Sequence, residues 1–185
     1  MEVDTVNGRE QAEKKIIEFL NSDERVAIVT GTHMHQKLDL VINVLCDHLF
    51  RENILFRTYT LENASRFLKA SAKLKTGVAY RGGANNIYID TLKERTWGKH
   101  GEPIHTAVVY PLKPMSSEKL RTEAISNLLD RVKVKKLILV SNQDTLDLTW
   151  ATSINTKIVY DSLEDDPEYH QRVIDDIASK GFKRL

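Results

Sequence analysis

The sequence predicts an α/β domain built on a mostly parallel β-sheet with helices on both faces. Three observations predict it. Short apolar runs alternate with stretches whose apolar residues recur at helical spacing. Several runs, such as Ala27-Ile28-Val29 and Leu137-Ile138-Leu139-Val140, are continuously apolar, as strands buried on both sides must be. The chain has 185 residues, enough for a full core, and a single domain over 1–185 is expected.

The elements follow in order. Gly8 to Asn21 is expected as a helix, with Ala12, Ile16, Ile17 and Leu20 on one face and Glu and Lys on the other. Arg25 to Val29 is a strand, broken at Thr30-Gly31-Thr32. Gln36 to Phe50 is a helix carrying Leu38, Val41, Ile42, Leu45 and Leu49 inward. Ile54 to Tyr59 is the next strand, and Glu62 to Lys73 the next helix. Val78-Ala79-Tyr80 and Asn86 to Asp90 flank a Gly82-Gly83 turn signal and read as an added β-hairpin. Thr91 to His105 is polar and reads as a long loop. Thr106 to Tyr110 is a buried strand closed by Pro111 and Pro114. Ser117 to Arg131 is a helix, Lys136 to Val140 a strand, and Lys157 to Tyr160 a last short strand. Asp166 is placed to cap a final helix with Pro167 at its first position, ended by Gly181.

Composition excludes some function classes. Lys+Arg number 27 and Asp+Glu 26, so net charge argues neither for nor against nucleic acid. Cys46 is the sole cysteine, which excludes an internal disulfide and the CxxC pairs of zinc ribbons and redox proteins. The acidic opening Met1-Glu2-Val3-Asp4 and the lack of a long apolar run argue against a signal peptide or membrane span. A cytoplasmic protein is expected.

The strand ending at Val29, the loop from Thr30 and the helix after Gln36 have the order of a phosphate-binding loop unit. A working loop is G-x-x-x-x-G-K-[ST]: glycines let backbone N–H groups wrap phosphates, Lys meets the β and γ phosphates, and the hydroxyl holds Mg²⁺. The register here is Gly31-Thr32-His33-Met34-His35-Gln36-Lys37-Leu38. Gly31 and Lys37 are present, Gln36 replaces the second Gly, and Leu38 replaces the hydroxyl.

With the lead-in helix from Gly8-Arg9-Glu10 and the strand Val26 to Gly31, the chain resembles the P-loop NTPases. The hairpin, the loop with Arg95, the strand Val108-Val109-Tyr110 and the strand Ile138 to Asn142 follow in the order of helicase and terminase ATPase domains. The resemblance implies a three-layer P-loop NTPase-like fold. It also implies an acid after the strand 106–110, where this chain has Tyr110-Pro111-Leu112-Lys113, and a polar sensor, matched by Ser141 or Asn142. Without a hydroxyl at 38 or an acid near 111, Mg²⁺ has few ligands and phosphoryl transfer loses its electrostatic support.

Gly31, Thr32, His33, His35 and Lys37 are therefore candidates for phosphate or anion binding, without catalysis. The alternative is that Gly31 only turns the chain and Lys37 is a solvated first-turn residue. His33 and His35 form an H-x-H pair that needs a third ligand, such as His105 or Asp90, to hold a metal; the alternative is local hydrogen bonding, and no metal site is assigned. Cys46 and His48 are two apart on a helix and do not face each other. Arg66, Lys69, Lys73, Lys75 and Arg81 lie in an acid-free stretch from Ala64 to Ile89 with Tyr80 and Tyr88, a pattern suited to nucleic-acid contact or to a solvated face. The acids Asp161, Glu164, Asp165, Asp166 and Glu168 read as a charged loop and helix N-terminus. Trp97 and Trp150 lie in polar surroundings, and Trp97, in the longest loop, reads as a partner anchor or as a plug of its own loop.

The preferred reading is a non-catalytic P-loop-like binding protein, a pseudo-ATPase acting through a protein or nucleic-acid partner in a phage or bacterial DNA transaction. That setting is implied by the resemblance. No cofactor is assigned. Two alternatives stand beside it. One is an ATP-binding or weakly active ATPase domain using Lys37, Thr32 and a remote carboxylate such as Asp90 or Asp144. The other is a self-associating structural protein, a homo-oligomer built through the hairpin edge.

Overall fold

The fold was obtained as a computed structural model, and it describes residues 7–143, 146–182 and 184. The opening residues Met1 to Asp4 and the carboxylate of Asp144 lie outside them. Among the described residues, no helix is long and apolar enough to cross a membrane.

The apolar runs become strands where they are expected. The elements are α1 (Arg9–Asn21), β1 (Val26–Thr30), α2 (Lys37–His48), β2 (Asn53–Thr58), α3 (Leu61–Phe67), β3 (Tyr80–Gly82), β4 (Asn85–Thr91), β5 (Thr106–Val109), α4 (Glu118–Ser126), β6 (Lys136–Val140), β7 (Thr156–Val159) and α5 (Pro167–Ser179). They form a seven-stranded sheet in the order β3-β4-β2-β5-β6-β1-β7. Every neighbouring pair is parallel except β3 with β4. The hairpin therefore joins the main sheet: β4 pairs with β2, and β3 forms one edge.

Alternation along the strands splits the core into two layers. Ala27, Val29, Phe56, Val108 and Ile138 face α1, α2 and α3. Ile28, Leu55, Ala107, Val109, Leu137 and Leu139 face α4 with Leu112, Met115, Leu128 and Val134. Burial on both faces explains why these strands read as continuous apolar runs. The result is a P-loop NTPase-like α/β fold with a mostly parallel sheet.

Three expectations need correction. The helix expected to reach Lys73 ends at Phe67. Lys69 takes a left-handed φ of 53°, and the Ser65 hydroxyl accepts the Leu74 N–H at 3.0 Å, which folds the chain back. The helix expected over 117–131 changes at Asn127 to a π-helical turn, Asn127–Arg131. There the Ala124 carbonyl and the Asn127 side chain both accept from Arg57, at 3.2 and 2.9 Å. The loop after β4 contains a 3₁₀ turn, Glu94–Thr96.

Gly83 shows why the hairpin needs glycine. Its φ is +60°, and a Cβ there would stand 2.6 Å from the Cys46 carbonyl oxygen. The hairpin can close on the end of α2 only if that side chain is absent.

Candidate functional site: the loop between β1 and α2

Six strands run in one direction, so the loops after β1, β2, β4, β5, β6 and β7 share the carboxyl edge of the sheet. Ligand sites of such sheets form there. The loop between β1 and α2 (residues 31–36) lies against the chain leaving β7. Gly31 has φ +121°, and a Cβ on it would fall 2.1 Å from the Tyr160 carbonyl oxygen. Only glycine allows this approach.

That approach engages the loop's donors. The Thr32 N–H donates to Asp161 Oδ1 at 2.9 Å, the His33 N–H to the Tyr160 carbonyl at 3.1 Å, and the Met34 N–H to the Thr32 carbonyl at 2.9 Å. The Thr32 hydroxyl accepts the Ser162 N–H at 2.9 Å and lies 2.8 Å from His170 Nδ1. His33 Nε2 pairs with Asp165 at 2.8 Å and its ring meets Tyr160. Lys37 is fully buried, and its ammonium donates to the Gly31 carbonyl. The reading of Lys37 as a solvated first-turn residue is thus corrected: its side chain is buried and turned back onto the Gly31 carbonyl. His35 and Gln36 are exposed, and Leu38 is buried in the core beside α1.

Asp161 departs furthest from its expected place. Within an acidic run it reads as part of a charged surface loop, but it is 5% exposed. Burial opposes its ionisation, and the Arg184 guanidinium at 2.6 Å, the Thr32 N–H and the nearby His170 outweigh that, so its pKa falls below the ordinary carboxylate value. An ionised carboxylate is thus fixed on a loop donor that a phosphate oxygen would need. The loop, Gln143 and α5 enclose a cavity of about 330 Å³ walled by Met34, Tyr169, Arg172, Val173 and Asp176.

The other carboxylate considered for chemistry is also occupied. Asp90 faces Arg57 across the β2–β4 pair and receives Nε and Nη2 at 2.8 and 2.7 Å. Burial pushes its carboxyl above the usual range, against the pull of Arg57. Trp97 covers the guanidinium at 4.4 Å and donates its indole N–H to the Thr91 carbonyl at 2.8 Å, so it plugs its own loop. Arg57 lies within an otherwise apolar strand run and escapes a reading by local pattern; a charged residue there, with a single acid in the β4 run, is the available signal. Asp90 is therefore not the third ligand of an H-x-H site. Neither is His105, which precedes β5 at the amino edge, opposite the loop. Tyr110 is buried against Phe67, edge to face at 4.8 Å, where the resemblance implied an acid.

Arg66, Lys69, Lys73, Lys75 and Arg81 are all exposed. Lys69 pairs with Asp39 at 2.6 Å. Lys73 and Arg81 line one groove of about 520 Å³ with Ile42, Cys46, Leu74 and Tyr80.

No protein-family model matches the sequence, and no curated protein matches it. Among solved structures, the chain is similar to the large terminase from a thermophilic bacteriophage, described in complex with ADP, at 13% identity and a TM-score of 0.50. The similarity covers 89% of this chain and 48% of that one, so the chain spans about half the length of the terminase it matches. At this identity the likeness is one of fold.

Proposed function

We propose that this chain is a non-catalytic binding module on a P-loop-like scaffold, and that its partner is nucleic acid. One contrast carries the reading. The phosphate loop turns Lys37 and the N–H groups of residues 32–34 onto the chain's own carbonyls and onto Asp161. A group of exposed cations, Arg66, Lys69, Lys73, Lys75 and Arg81, runs elsewhere, from α3 to β3, in a stretch without an acid. The acidic run follows β7, at the opposite edge of the sheet from β3. Lys69 is held by Asp39, and the remaining cations of the stretch present a local basic surface to a phosphate backbone. The terminase likeness supports a nucleic-acid setting as an analogy of fold.

The test is a salt-titrated binding isotherm with single- and double-stranded DNA. Lys73→Glu with Arg81→Glu is expected to weaken binding and flatten its salt dependence. Unchanged binding by that double variant would remove the proposed surface. Anion binding at Gly31, Thr32, His33, His35 and Lys37 would require Asp161 to move. Calorimetry with ATP–Mg²⁺ and with ADP is expected to give no heat at millimolar nucleotide. Saturable heat, or turnover, would instead favour the ATP-binding or ATPase alternative.

A further inference from the structure

The carboxyl ends of β2 and β4 frame a second cleft, of about 290 Å³, away from the phosphate loop. Lys73, Lys93 and Arg95 line it with Tyr59, Thr60 and Thr96. Among the described residues, Glu62 is the one carboxylate in its wall. The three cations are exposed and form no ion pair among the described residues. Tyr59 is 52% exposed, which is unusual for an aromatic side chain at the end of a central strand.

The wall is rigid where it presents these groups. The Thr96 hydroxyl donates to the Lys93 carbonyl at 2.7 Å and accepts the Thr91 N–H at 3.0 Å. Trp97 then anchors the turn on Thr91 and on buried Arg57. On the other side, the Leu92 N–H donates to the Thr58 carbonyl at 3.0 Å, and the Thr60 hydroxyl caps α3 through the Asn63 N–H at 3.1 Å. Flexible cationic ends thus stand on a fixed frame beside one exposed ring.

We infer that this cleft is a single-stranded nucleic-acid site, in which Lys73, Lys93 and Arg95 hold phosphodiesters and Tyr59 stacks an unpaired base. The chemistry separates strand types. Phosphate contacts are shared by single strands and duplexes, but only an unpaired base offers its face to a side chain. The inference rests on the nucleic-acid reading above and adds Tyr59, Lys93 and Arg95 to it.

Oligo-dT and a duplex of matched length serve as probes, read by fluorescence anisotropy over a salt series. Tyr59→Ala is expected to lower oligo-dT affinity about tenfold and to leave duplex affinity unchanged. Lys93→Gln with Arg95→Gln is expected to reduce the salt slope on oligo-dT by about 1.4, from two released counterions. All three residues are exposed, so thermal midpoints are expected to stay at the parent value and to exclude misfolding as the cause. If the parent protein binds and both variants match it, this cleft is wrong while the basic surface between α3 and β3 stands. If the parent binds no nucleic acid, both readings fall. Equal displacement of oligo-dT by polyglutamate, with Tyr59→Ala unchanged, would overturn the inference in favour of an acidic protein ligand.

Discussion

At the scale of single residues, Arg57 and Asp90 matter most. Each is buried, and the guanidinium is satisfied by Asp90, Ala124, Asn127 and the face of Trp97. Removing one partner leaves an unpaired charge in the core. Asp90→Ala is expected to cost about 3–5 kcal/mol in urea unfolding. Replacing both partners together, Arg57→Met with Asp90→Leu, removes both charges and is expected to cost far less. A double variant as unstable as the single one would contradict this account. Local pattern misses the pair because strand propensity treats each strand alone, whereas the pair exists only across the β2–β4 register. Asp161 is misread for a similar reason. An acid within an acidic run looks solvated until the fold delivers Thr32 and Arg184 to it.

At the scale of elements, the closure between the β1 loop and the chain after β7 has a pH dependence. The folded pKa of Asp161 lies below its unfolded value, so the stabilisation is complete above the unfolded pKa of about 3.9 and is lost as pH falls through the folded value. In a pH series of thermal unfolding, the gap between the parent and Asp161→Asn is expected to narrow below about pH 4. A gap constant down to about pH 3 would show that the closure does not depend on that charge. The elements themselves are well marked in the sequence. β1, β5 and β6 are buried on both faces, and Asp166 caps α5 through the Tyr169 N–H at 2.9 Å. What local pattern cannot show is where helices stop for tertiary reasons. α3 ends at a left-handed Lys69, and α4 changes pitch where Arg57 takes its carbonyl.

At the scale of the whole molecule, the sheet has two edges, and both are blunted. β3 is three residues long and bears exposed Arg81; β7 bears Lys157, bonded to the Thr152 carbonyl at 3.2 Å. Short, charged edges resist pairing with a second sheet. The chain is expected to run as a monomer in light scattering, and Arg81→Ile to promote association. A parent protein that self-associates without that change would favour the homo-oligomer alternative. The strand order is not readable from the sequence, because local pattern decides which segments are strands but not which strands neighbour each other. The two-layer core also has a consequence for spectroscopy. Both tryptophans belong to the layer facing α4, and each lies beneath a guanidinium: Trp97 under Arg57 at 4.4 Å and Trp150 under Arg121 at 4.7 Å. The layer on the phosphate-loop side is lit by Tyr110 and Tyr160 instead. Tyr88 also belongs to the layer facing α4, so tyrosine absorbance sees both layers, whereas emission excited at the red edge watches the tryptophan-bearing layer alone.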